Sequence, residues 1–169
     1  MKIAIVAAGF ERLRQAGRPV PSGDFQQRLA DRFSAYRNES MKLFPDAHDT
    51  IDALRARGVK LALITNGAGE YQRAKIVRFA LTERFDHIQI EGEHGFGKPE
   101  TRAYLHAMDA LGVAAHDTWI VGDNLEWEVI APQKLGIFSI WCDPHGDGVP
   151  DGHAAKPDRI IRTLRELLE

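Results

Sequence analysis

The sequence predicts an α/β fold with a mainly parallel sheet, helices on both of its faces and a helical segment ahead of it. Three observations carry this expectation. From Pro45 onward short apolar runs alternate with helical patterns, the connections between them are short, and residues 1–44 follow a purely helical rhythm. Strand–helix alternation with short links means crossover units, and crossovers join parallel strands.

In the opening segment Ile3, Val6, Ala7, Phe10 and Leu13 recur at spacings of three and four, a helical stripe. Gly17-Arg18-Pro19-Val20-Pro21 breaks it, and a second helix is expected from Ser22 or Asp24, carrying Phe25, Leu29, Phe33 and Tyr36. Residues 1–44 thus read as part of an appended helical module, and residues 45–169 as the α/β body. There, Ile51 and Leu54 mark a first helix that closes at Gly58. Residues 59–64 form a short apolar run, a buried strand ending at Thr65-Asn66-Gly67. A helix is expected over residues 70–79, an alternating strand over His87–Ile90, and a helix over 100–111 with Pro99 at its start. Residues 119–121 read as a third strand, ending at Gly122-Asp123-Asn124. Residues 127–135 are expected to be helical despite Pro132, and 136–141 to be a fourth strand. A Gly/Pro/Asp-rich loop spans 143–152, and Ile160, Ile161, Leu164, Leu167 and Leu168 are expected to line a last amphipathic helix.

Composition narrows the function. Of 169 residues, 44% are hydrophobic and 27% charged, with a net charge of −2, which argues against disorder. The same balance excludes a general nucleic-acid or anionic-membrane binder, which needs a basic face. The apolar run near Met1 stops within residues 3–8, too soon for a signal peptide's full pattern. No window approaches the roughly 20 apolar residues of a membrane span. A single cysteine, Cys142, can form neither an internal disulfide nor a thiolate cluster, which fits a reducing cytoplasm.

Ligands of open parallel sheets bind outside the carboxyl ends of the strands. That rule picks out Thr65-Asn66, the loop after Ile90, and Asp123-Asn124. Each has a plain structural reading: Thr-Asn-Gly is ordinary turn chemistry, Lys98 a solvated side chain before a helix, and Asp123 a helix cap. Chance accounts poorly for all three, in this order, at strand ends. The seven histidines look scattered, none at metal-ligand spacing, and Glu91, Glu93 and His94 read as a solvated loop rather than a metal site.

The run Leu61-Ala62-Leu63-Ile64-Thr65-Asn66-Gly67, then Gly97-Lys98-Pro99-Glu100, then Val121-Gly122-Asp123-Asn124-Leu125-Glu126-Trp127-Glu128 resembles motifs two to four of the haloacid dehalogenase (HAD) superfamily. The likeness extends from Phe44 to the C-terminus, about three quarters of the chain. It implies a HAD-like Rossmannoid core with a partial N-terminal helical cap, and Mg²⁺-dependent hydrolysis of a small phosphorylated metabolite through an aspartyl-phosphate. By this resemblance the Thr65 hydroxyl, the Asn66 amide and the Gly67 turn would hold the phosphate. Lys98 would be the point charge joining phosphate and nucleophile. Thr65 and Lys98 are the candidate catalytic pair. Asp123 would be a hard oxygen ligand for Mg²⁺, and Glu128, where the family usually has Asp, would act through a metal-bound water.

One part of the family pattern is missing. No Asp-x-Asp occurs before Thr65, so the chain lacks the attacking carboxylate, and Mg²⁺ should bind weakly. Two explanations compete. Residues 2–8 could be a degenerate first strand with Ala7 and Gly9 at the acid positions. Alternatively, residues 3–15 are a late cap helix and the true first strand lies upstream; the helical stripe and the short stretch from Phe10 to Pro45 favour this. Under that second explanation no strand would sit between those ending at Thr65 and Gly122, leaving two edges open to self-association. A non-catalytic phosphate-binding or regulatory module and, within the family, a dehalogenase are the rival functions. Thr65 with Asp123 argues for phosphate over halide, and no Gly-x-Gly-x-x-Gly follows a strand to suggest a dinucleotide site.

Overall fold

The computed structural model describes residues 2–169, with side chains from Ala8 onward. The chain divides into two units, residues 1–43 and 44–169. In the first, α1 (Lys2–Gln15) and α2 (Gly23–Ser40) pack on one another. Gly17, at φ 68°, turns the chain so that Arg18 N–H reaches Leu13 O at 2.9 Å and closes α1. The opening stripe is therefore a helix, and the reading of residues 2–8 as a strand does not hold. Among the described residues of this unit only Ala30 is buried, while Phe25, Leu29, Phe33 and Tyr36 of α2 are exposed.

The second unit contains five strands in two parallel sheets. β1 (Ala62–Thr65) pairs with β2 (His87–Ile90) in register Ala62 to His87 through Thr65 to Ile90. β3 (Trp119–Gly122), β4 (Phe138–Cys142) and β5 (Arg159–Ile161) form the other sheet, with β4 in the middle. Between them run α3 (Ala47–Ala56), α4 (Gly69–Arg78), α5 (Glu91–His94), α6 (Thr101–Leu111) and α7 (Ala131–Gln133). Among the described residues no helix is long and apolar enough to cross a membrane.

The sheets differ in burial. Ser139 to Cys142 of β4 are all buried, as a central strand should be, with Ile140 and Cys142 against Ile161 of β5. By contrast all four residues of β1 are only half-buried, and Trp119 at the start of β3 is 57% exposed. Parallel strands are normally covered on both faces and paired on both edges. β1 and β3 have one hydrogen-bonded neighbour each, and not each other.

Three expectations are corrected. The first strand starts at Ala62 rather than residue 59, because Val59 N–H is spent on Leu54 O at 3.1 Å, closing α3 through Gly58 at φ 79°. Residues 127–135 are not one helix: a π-helical turn (Glu126–Ile130) leads into the short α7. Pro132, within its first turn, brings no N–H and is buried. Finally, Ile160 and Ile161 belong to β5 and not to a terminal helix; only Leu164–Leu168 winds, as a 3₁₀ turn under a Thr163/Glu166 capping box.

A carboxylate explains the last correction. Asp158 accepts Ser139 N–H at 2.8 Å, Ser139 Oγ–H at 2.7 Å and Gln133 Nε2–H at 3.1 Å, which lays residues 159–161 along β4. The Ser139 backbone donor, then its hydroxyl and Gln133, hold the Asp158 carboxyl below its ordinary value of 3.8. A folded-state pKa below the unfolded one gives stability that is present above the unfolded value and lost as pH falls through the folded value. Asp158→Asn keeps one acceptor but cannot titrate. It should lower stability near neutral pH by about 1 kcal/mol, roughly 2–4 °C in Tm, and flatten the acid loss below about pH 4. Urea melts across that range check it.

Candidate active site

The carboxyl ends of β1 and β3 carry the polar residues singled out from sequence. Thr65 is the last residue of β1, half-buried, and pairs with Ile90. Asn66, next along, turns its amide onto the backbone of Lys98: Nδ2–H donates to Lys98 O at 2.6 Å, and Oδ1 accepts Lys98 N–H at 2.9 Å. A two-point clamp of this kind fixes the loop after α5 against the end of β1. Gly97 permits the approach, since a Cβ there would stand 2.6 Å from Asn66 Oδ1. Lys98 precedes Pro99 across a cis peptide bond.

With its backbone held, Lys98 extends Nζ to Glu128 Oε1 at 2.5 Å. The pair is largely desolvated, at 14% and 3% side-chain exposure. Glu128 is in turn positioned by its own turn, its Oε2 accepting Asn124 N–H at 2.9 Å. Gly122 leaves room for it: a Cβ at that position would stand 2.3 Å from Glu128 Cγ. Hydrogen bonds therefore link Asn66, Lys98 and Glu128, with Thr65 next to Asn66 at the end of β1. The structure makes Glu128 the counter-ion of Lys98, a direct contact beyond the metal-bound water that the resemblance implies.

Gly67 and Asp123 make other contacts. Gly67 N–H donates to Glu91 Oε2 at 2.8 Å, so that amide is already committed within the protein. Asp123 is exposed and lines a cleft beyond the ends of β3 and β4, with Asn124, Trp141, Asp143, Asp147 and His153. Its backbone carbonyl accepts Trp141 Nε1–H at 2.9 Å, which anchors the strand end. Asp143 closes its own loop by accepting N–H groups of Gly148, Gly146 and Asp147, at 2.9, 3.0 and 3.3 Å. Those backbone donors, Gly148 foremost, hold the Asp143 carboxyl below its usual range.

These residues do not make a complete Mg²⁺ site. That ion demands octahedral oxygen coordination. Both Glu128 oxygens are engaged, by Lys98 and Asn124, which leaves Asp123 as the carboxylate available from the predicted pair. The supposed polar loop at 91–94 also resolves into separate contacts: Glu91 to Gly67, Glu93 to Arg73, and His94 to Ile90. Glu91, read from sequence as part of a solvated loop, instead lies immediately after β2 and accepts the N–H of the turn that follows β1.

Removing the Lys98 cation should strand a buried carboxylate. Lys98→Met is expected to cost about 3 kcal/mol in urea unfolding, and Lys98→Met with Glu128→Gln less than Lys98→Met alone. Additive losses would mean that the pair is not coupled.

The family described as haloacid dehalogenase-like hydrolase matches residues 5–136. A phosphoserine phosphatase from Thermus thermophilus is 35% identical over 158 residues, covering 93% of this chain and 61% of that protein. The crystal structure of a HAD phosphatase from Thermococcus onnurineus superposes with a TM-score of 0.70 at 28% identity, covering 86% of this chain and 68% of that one. That of a 2-haloacid dehalogenase from Pseudomonas syringae gives 0.68 at 28% identity, covering 99% and 71%. The chain spans about three fifths of the length of the curated relatives it matches.

Proposed function

Since this chain belongs to the haloacid dehalogenase-like hydrolases, we propose that it carries the phosphate-holding half of a hydrolase acting on the phosphate monoester of a small metabolite. The observation that carries this reading is the Lys98 ammonium, fixed at the carboxyl edge beside Thr65 by the Asn66 clamp and Glu128. A phosphoryl group in transfer spreads negative charge over its oxygens, and catalysis consists mainly in positioning it and offsetting that charge. Lys98 supplies the cation and Thr65 a hydroxyl donor. Asn66 acts one step removed, by orienting Lys98. Relatives that act on phosphoserine and on other phosphate monoesters support this choice over dehalogenation, as does Thr65 in company with Asp123.

The attacking carboxylate has a defined place in this reading. Its oxygen forms a bond to phosphorus while the bond from phosphorus to the substrate oxygen breaks, and the departing oxygen takes a proton from the second acid of the Asp-x-Asp pair. No Asp-x-Asp precedes Thr65 in the sequence. The unpaired edges of β1 and β3 are where a strand bearing that pair would insert, next to Lys98. In the family a bound Mg²⁺ supplies further charge neutralisation; in this chain Asp123 is the residue suited to contribute to it. The residues in hand do not fill its coordination, and no step above depends on it. A second reading, a phosphate-binding module without turnover, is favoured by the same missing carboxylate and by the commitment of Lys98 to Glu128.

Two measurements test the proposal. Inorganic phosphate should raise the Tm of the chain by ordinary binding linkage, an effect lost in Lys98→Ala, while Mg²⁺ alone should barely move it. The chain should not hydrolyse phosphoserine. A fusion that adds a strand with Asp-x-Asp-x-Thr should do so, with kcat falling about 100-fold or more in Lys98→Ala. Phosphate that leaves the melt unchanged refutes the site. A fusion that binds phosphate without turnover selects the second reading.

A further inference from the structure

Away from the carboxyl-edge cluster, three imidazoles meet against β2. His87 begins the strand, His94 ends α5, and His106 lies midway along α6. One ring nitrogen from each falls within 4.8 Å of the other two. The rings of His94 and His106 are centred 5.1 Å apart, those of His87 and His106 5.3 Å. The expectation that the histidines are scattered is thus corrected by the tertiary fold.

Ring packing alone would leave two features unexplained. His87 Nε2 is buried and has no hydrogen-bond partner. Buried polar atoms of this kind are rare and call for a cause, an ion among them. The other two rings are oriented through Nδ1. His106 Nδ1 is 2.8 Å from Gln89 Oε1, and Gln89, fully buried, is itself fixed by donating Nε2–H to Ala103 O at 3.0 Å. His94 Nδ1 is 3.0 Å from Ile90 O, closer than the 3.3 Å to Ile90 N. Gln89 Oε1 only accepts, so Nδ1 is the protonated nitrogen of His106 and Nε2 carries its lone pair. An outer acceptor on one ring nitrogen, with the other left to bind, is the arrangement that orients metal-ligating histidine.

We infer that His87, His94 and His106 form a binding site for a divalent transition metal, zinc in the first instance. Neutral imidazole suits zinc and its first-row neighbours, whereas Mg²⁺ requires oxygen ligands. Zinc–nitrogen bonds of about 2.0–2.1 Å in a tetrahedron put ligand nitrogens roughly 3.4 Å apart. From separations within 4.8 Å the nitrogens therefore need to close by up to about 1.4 Å, through side-chain rotations. Each of the three residues is half-buried. The ion would tie β2 to α5 and α6, the two helices that flank the loop carrying Lys98. The site does not depend on the phosphatase reading.

Zinc titrated into metal-free protein against a chromophoric chelator should give one equivalent bound, tighter than about 1 µM. His87→Ala and His106→Ala should abolish that stoichiometric binding. Gln89→Leu should weaken it about 10–100-fold through lost orientation of His106, and the exposed His116→Ala should leave it unchanged. Because core variants can unfold, imidazole NMR of the wild-type chain provides a second readout. One equivalent of zinc should shift the His87, His94 and His106 ring signals and no others. Absence of saturable binding, or shifts confined to His145 and His153, would overturn the assignment.

Discussion

The two sheets of the α/β unit are joined at their functional edge by a lysine ammonium and a carboxylate 2.5 Å apart. Lys98 belongs to the β1–β2 side, where Asn66 grips its backbone; Glu128 belongs to the β3 side, where Asn124 grips its second oxygen. Desolvating two charges is costly, and such a pair adds little net stability over apolar packing of the same volume. Its value here is geometric. It sets the position of one cation relative to two strand ends that share no backbone hydrogen bond.

The uneven burial of the strands follows from the same division. β4 has partners on both edges and is almost wholly covered, while β1 and β3 each have one partner and stay half-exposed. Three apolar clusters account for much of the core, and all three contain residues of the β3–β5 half or of elements packed on it, such as Tyr104, Trp141 and Ile140. The β1–β2 half relies more on polar anchoring, through Asn66, Glu91 and Gln89. A strand inserted between β1 and β3 would complete both edges at once.

The histidine triad and the Lys98–Glu128 pair illustrate one limit of linear spacing. Metal-ligand patterns are recognised when ligands share a short loop or one helix face, which fixes their separation locally. Here the three rings come from a strand, a one-turn helix and a longer helix, and only packing of α6 on β2 brings His106 to His87. In the same way nothing in the linear spacing shows that Glu128, four residues after Asn124, meets Lys98. The π-helical turn at 126–130 and the absent Cβ of Gly122 draw it inward.

What the sequence determined by itself is whatever rests on local period and turn chemistry. A strand at 87–90 and one at 119–121, helices over about 70–79 and 100–111, and the place of Thr65, Asn66 and Asp123 at or after strand ends were all legible there. Apolar alternation, helical stripes and strand-ending Asn, Gly and Asp encode these within a few residues of each site. Tertiary structure alone decided the rest. Ile160 and Ile161, helical by pattern, pair with β4 because Asp158 binds Ser139 across 19 residues of sequence. Asn66, a phosphate ligand by resemblance, holds a lysine backbone 32 residues away. Both outcomes depend on which distant donor meets a given oxygen, and that is set by packing between elements, which no local pattern records.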